Sequence, residues 1–217
     1  MYIQQFNSYF IHVPKAGGSS IEKFFFNLAG LQPDMHNVFG SLGRQEAAKW
    51  HFGNHVPGLQ HSETQHLTAW DCKRYNVTEF LNADYTFAVV RNPWHRFVSE
   101  VIWKRERLNM KKHTFKDQIA LQGILCDNNL SNNNRPHNTP QWKFVFDENG
   151  RQAVDDIFKL EELHKAEKKL SEVFGIEVKF PHVNITKRNN YEEYLTEDIK
   201  RHLYPIIRAD LEIFNYE

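Results

Sequence analysis

The stretch FIHVPKAGGSSIEKF, residues 10–24, constrains the fold more than any other part of the chain. A short apolar run ends in Pro-Lys, crosses two glycines and two serines, and enters an amphipathic segment. A buried strand (9–13) must therefore turn tightly into a helix (Ser19 to about Ala29). Gly17 and Gly18 allow positive φ and let backbone N–H groups approach an anion. The helix N-terminus adds partial positive charge, and Lys15 a full one. Ser19 and Glu22 also fit a capping box, S-x-x-E, which explains those two residues without a ligand. It does not explain the Pro-Lys-Ala-Gly-Gly approach. The triphosphate-binding signature GxxxxGK[ST] is absent, since no glycine is followed by lysine.

A second strand–turn–helix unit lies at 85–108. YTFAVV (85–90) has strand length and β-branched character. Asn92-Pro93 then opens a helix, because Asn is a good N-cap and Pro is favoured at the first helical position. Trp94, Phe97, Val98, Val101, Ile102 and Leu108 share one helical face. Arg91 stands at the strand end and Ser99 two turns into the helix. Its guanidinium suits a phosphate dianion; equally, Arg91 can pair with a local carboxylate while Ser99 faces water. Ligands of parallel sheets lie outside the carboxyl ends of neighbouring strands, so two anion loops imply a ligand with two separated phosphate-type groups.

The remaining pattern alternates strands and helices: a helix at 114–126, a loop at 127–141, a strand near 152–158, and a helix carrying Leu160, Leu163, Leu170, Val173 and Phe174. A final helical segment, 191–214, is expected to break at Pro205. This predicts an α/β fold with a parallel sheet flanked by helices on both faces, a P-loop-like three-layer arrangement. The 217 residues fit one domain, with a His-, Gly- and Asn-rich insertion at about 30–62. Lys+Arg and Asp+Glu are both 27, which argues against broad nucleic-acid binding and makes any anion site local. Two cysteines, no apolar stretch long enough to span a membrane and no signal peptide point to a cytoplasmic protein. Oligomeric state is not readable from the chain.

At these two loops the sequence resembles the PAPS-dependent sulfotransferases, PAPS being 3′-phosphoadenosine 5′-phosphosulfate. It is most similar to the carbohydrate group that includes heparan sulfate 2-O-sulfotransferase and bacterial relatives. The family's first loop, roughly [IV]PK[TA]GG[TS]S, is matched by Val13 through Ser20, and its second, RNPW-x-R-x-VS, by Arg91 through Ser99. RPHNTPQWKFV (135–145), FKLEEL (158–163), FPHVNITKRNNYEEYL (180–195) and RADLEIFNY (208–216) follow in the family's order. The resemblance implies sulfuryl transfer from PAPS to an acceptor hydroxyl, in line and without a metal. Lys15, Ala16, Gly17, Gly18, Ser19 and Ser20 would hold the 5′-phosphosulfate, with Lys15 near the bridging oxygen. Arg91 and Ser99 would hold the 3′-phosphate. Lys187 and Arg188 would close over the nucleotide or form a solvated basic turn. The lysine would thus precede the glycines because it serves a phosphosulfate rather than a magnesium-bound triphosphate.

The attacking hydroxyl must lose a proton, and histidine suits this near neutral pH. TQHLTAWDC (64–72) resembles the family segment that carries the base. Two histidines stand there in heparan sulfate 2-O-sulfotransferase; here Thr64 replaces the first and His66 remains. Glu63, Asp71 and Glu100 are the alternative carboxylates. His51, His55, His61 and His66 do not make a zinc pattern, because Gly53 and Pro57 oppose a helix and no cysteine joins at ligand spacing. His12 is expected in the core or behind the first loop, and His95 at an exposed or ligand-edge position on its helix. The resemblance places Arg135, His137 and Gln141 near the acceptor, for which a carbohydrate is the expected class. Trp50, Trp70, Trp103 and Trp142 can stack on sugar rings or fill the core. Two other functions fit parts of the pattern: a kinase with a divergent phosphate loop, and a binding module that has lost turnover. ATP–magnesium dependence would mark the first, and binding of PAP (the desulfated nucleotide) without transfer the second.

Overall fold

The computed structural model describes residues 1–30, 65–107, 109–125, 136–181 and 191–217, with the side chains of 107 and 121–125 left aside. Its main elements, in chain order and leaving aside 3-10 turns and the single helical turn Trp142–Val145, are β1 (Tyr2–Ile3), β2 (Ser8–Ile11), α1 (Gly18–Leu28), α2 (Ala69–Arg74), α3 (Thr78–Leu81), β3 (Tyr85–Val90), α4 (Pro93–Arg107), α5 (Phe115–Leu125), β4 (Asp156–Lys159), α6 (Leu163–Phe174) and α7 (Glu197–Ile213). They divide into two compact units, residues 1–90 with 143–184 and residues 91–142 with 185–217. Most of the expected insertion falls outside the described residues, as do Cys126, Lys187 and Arg188.

The first unit holds a four-stranded sheet in the order β1-β2-β3-β4. β2, β3 and β4 run parallel, pairing Phe10 with Phe87 and Ala88 with Ile157. The architecture is the expected α/β type with one addition: β1 joins antiparallel, pairing Tyr2 with Tyr9, so the sheet is mixed. Two residues were too few to show a period. The strand expected near 152–158 instead occupies Asp156–Lys159.

Alternation along β2 sends successive side chains to opposite faces. Phe10 and Phe87 pack with Ile21, Phe25 and Phe26 of α1 and with Ala166, Leu170 and Phe174 of α6. On the other face Tyr9 meets the edge of Phe80 from α3, with centroids 5.3 Å apart, and its hydroxyl lies 3.8 Å from the Cys72 Sγ of α2. Helices thus cover both faces. Complete burial of each large apolar side chain contributes about 1.5–3 kcal/mol.

The second unit is helical. Phe97, Val98, Val101 and Ile102 of α4 pack with Ile199, Leu203, Ile207 and Leu211 of α7. The break expected at Pro205 does not occur, because α7 continues through it to Ile213. An internal proline costs a helix about 3 kcal/mol, and burial of Leu203, Ile207 and Leu211 on either side offsets it. Asp210, also buried, ties the helix down: its carboxylate accepts from the amides of Gln141 and Trp142, both at 2.9 Å. Among the described residues, no helix is long and apolar enough to cross a membrane.

Candidate active site

The first loop leaves β2 at Ile11 and enters α1 at Gly18, with Gly17 as the N-cap residue. Lys15 has φ of 65° and Gly17 of 85°. A positive φ is ordinary for glycine but uncommon for lysine, and such strain clusters where chemistry is done. A Cβ at Gly17 would lie 2.5 Å from Leu160 Cδ1, so the turn leaves no room for a side chain there. Within the loop, the amide of Ala16 donates to Val13 O at 3.4 Å and that of Ser20 to Gly17 O at 3.0 Å. The amides of Gly17, Gly18 and Ser19 find no acceptor among the described residues.

The capping-box account of Ser19 and Glu22 fails, because the helix starts one residue earlier and Gly17 offers no side chain. Glu22 turns instead toward β2. Its Oε1 lies 2.5 Å from His12 Nδ1, and both residues are buried. Gln65 Nε2 lies 3.5 Å from the same oxygen and 3.4 Å from His12 Nδ1. The other edge of the His12 ring presses on the loop, since a Cβ at Gly18 would stand 2.1 Å from His12 Nε2. Gly18 is therefore glycine for close approach to an imidazole.

His66 stands beside this group. Its Nδ1 lies 3.1 Å from the backbone oxygen of His12, and the two rings meet edge to face with centroids 4.6 Å apart. A carbonyl oxygen only accepts, so a hydrogen lies on Nδ1, and when the ring is neutral Nε2 carries the lone pair. That is the tautomer a proton acceptor needs. Asp71 is differently engaged: it closes a capping box on α2, accepting from Thr68 N at 3.0 Å and from Thr68 Oγ1 at 2.7 Å. Glu63 lies outside the described residues.

In the second unit the turn after β3 is built another way. The buried side chain of Gln141 grips the backbone of Arg91 from both sides, with Oε1 accepting from Arg91 N at 2.9 Å and Nε2 donating to Arg91 O at 2.8 Å. Asn92 caps α4, its Oδ1 accepting from the amides of Trp94 at 3.0 Å and His95 at 3.4 Å. The Arg91 guanidinium lies 4.8 Å over the Tyr191 ring, on which His95 also stacks at 5.2 Å. His95 and Ser99 are four residues apart and so share a face of α4; Ser99 is half-buried.

Arg96, the second arginine of this motif, is buried and donates to His137 O at 3.4 Å. Burial holds its guanidinium below the usual arginine range, against the opposing pull of Asp210 and Glu100. Burial also raises the Asp210 carboxyl, against the charge of Arg96. Glu100, the third alternative carboxylate, is nearly inaccessible and lies 2.9 Å from His137 Nδ1 and 3.5 Å from Lys104 Nζ. The His137 ring stacks on Trp103 at 4.7 Å. Trp70 donates to Glu148 with Arg74 over its ring. Trp50 and Arg135 lie outside the described residues.

Sequence reasoning missed Glu22, Gln65, Tyr191 and Asp210. Two of them carry a readable signal. Glu22 shares a helical face with Phe25 and Phe26, and Asp210 shares one with Leu203 and Ile207. A carboxylate on an apolar face must find a buried partner.

A profile of the sulfotransferase family matches residues 4–217. No curated protein and no solved structure matches the chain. With the match extending over nearly every residue, from just after β1 to the final residue, the chain belongs to the sulfotransferase family.

Proposed function

We propose that the protein transfers a sulfuryl group from PAPS to a hydroxyl of a carbohydrate, in line and without a metal. The observation that carries this reading is the first loop, where three amides without an acceptor among the described residues adjoin a lysine held at positive φ. Such preorganised donors stabilise charge as it develops on the leaving phosphate. Lys15, Ala16, Gly17, Gly18, Ser19 and Ser20 hold the phosphosulfate, with Lys15 at the bridging oxygen. Arg91 and Ser99 take the 3′-phosphate, and Lys187 and Arg188 close over the nucleotide. His66 removes the proton of the acceptor hydroxyl through Nε2. As the acceptor oxygen bonds to sulfur, the bond from sulfur to the bridging oxygen breaks and PAP leaves.

Membership of the sulfotransferase family supports the reaction class, and the Nδ1–H tautomer of His66 supports its role. The whole chain acts as one catalytic domain with residues 30–62 inserted, and the two-cysteine composition favours the reducing cytoplasm as its place of action. The test is transfer of labelled sulfate from PAPS to a panel of oligosaccharides, without added metal. His66→Ala should slow transfer by about 10²–10⁴-fold, the usual worth of a general base. Phosphorylation of the panel with ATP–magnesium and no sulfation from PAPS would overturn the reading.

A further inference from the structure

We infer that His12 is a positioning residue, held by Glu22, that links the donor loop to the proton acceptor. The inference rests on the roles proposed above for the loop and His66, and extends them to two buried residues that touch neither donor nor acceptor in that scheme. His12 serves both groups at once. Its ring fills the space above Gly18, which a Cβ would enter at 2.1 Å from Nε2, so the ring sets how deep the start of α1 can settle. Its backbone oxygen, 3.1 Å from His66 Nδ1, fixes which nitrogen of His66 bears the hydrogen. Glu22 is the clamp. Its carboxylate accepts from His12 Nδ1 at 2.5 Å and ties the first turns of α1 to the end of β2.

The local pattern fits such a link better than it fits simple packing. A histidine and a glutamate, both more than nine-tenths buried, stand where α1 and the sheet otherwise present phenylalanine and isoleucine. Breaking one partner of a buried pair strands the other, so the pair persists only where its geometry is used or replaced as a unit. The ring also lies edge-on to His66, so displacement of His12 carries both the loop and the base with it.

The test compares Glu22→Leu, Glu22→Gln and Gly18→Ala with the parent. PAP affinity is read by calorimetry and the His66 tautomer by ¹⁵N NMR of histidine-labelled protein. Glu22→Leu should weaken PAP binding and slow transfer by about tenfold or more, the size of effect that losing an outer partner has at metal-bound histidines, and should shift His66 away from the Nδ1–H form. Glu22→Gln, which keeps an acceptor for His12 Nδ1, should restore most of both. Gly18→Ala approaches from the loop side: its methyl displaces the His12 ring, and the His66 signals should move although that residue is unaltered.

If folded Glu22→Leu or Gly18→Ala leaves the His66 tautomer as in the parent, the link is overturned. If the parent itself binds no PAP, the donor assignment fails, while the NMR comparison still decides whether His12 ties loop to base.

Discussion

The turn after β2 and the turn after β3 have the same layout of strand, turn and helix, yet they present opposite chemistry. After β2 the helix is capped by glycine, and the amides of Gly17, Gly18 and Ser19 find no acceptor among the described residues. After β3 most of the amides are taken. Arg91 N donates to Gln141, Pro93 has no N–H, and Trp94 and His95 donate to Asn92. The first turn thus leaves backbone donors for an anion, whereas in the second the proposed anion contacts are side chains, Arg91 and Ser99. Backbone donors are fixed by the fold and suit charge that develops during reaction. A guanidinium suits a stable dianion that must be bound and released.

The largest expected effect is at Lys15. Lys15→Ala should lower kcat by about 10²–10³-fold, the usual cost of losing one preorganised donor, with a smaller change in PAP affinity. Steady-state and binding measurements together separate the two. Arg91→Ala should do the reverse, raising the Kd for PAP through loss of charge-assisted contacts worth about 1.5–3 kcal/mol, with kcat less affected. If the two variants behaved alike, the contrast between the turns would collapse.

Gly17→Ala sharpens the contrast from the backbone side. A non-glycine residue at φ of 85° is strained by about 1–2 kcal/mol, and the new methyl meets Leu160. Thermal melts should show the destabilisation, and calorimetry a loss of PAP binding. Asn92→Ala, at the equivalent place in the other turn, should cost about 1 kcal/mol of stability as an N-cap. The smallest effect concerns Cys72, buried behind the sheet, whose thiol is pushed up to about 12 by burial. It should stay unlabelled by thiol reagents at pH 8 until the chain unfolds, as peptide mapping would show.

The two turns also differ in how far the sequence discloses them. Asn92-Pro93 and the α4 apolar face predicted their helix directly, because the cap and the proline are local signals. Ser19 and Glu22 were misleading for the same reason: a local capping pattern was outcompeted by the long-range partner His12. Gln141 lies fifty residues from the backbone it grips, and Asp210 sixty-nine and sixty-eight from the two amides it holds. No local pattern encodes such pairings. Pro205 teaches the converse, since burial of one helix face outweighed a local breaker. α2 was not anticipated, although Thr68 and Asp71 carry a capping signature in plain view.

The most direct test of the account is a thermal-shift titration of the parent and of Arg91→Ala with PAP, AMP and ATP–magnesium. At a hundred times Kd a ligand adds about 2.7 kcal/mol of stability, a readily measured shift. The account predicts a large shift with PAP, a smaller one with AMP, and loss of the difference in Arg91→Ala. A shift with ATP–magnesium and none with PAP would contradict it.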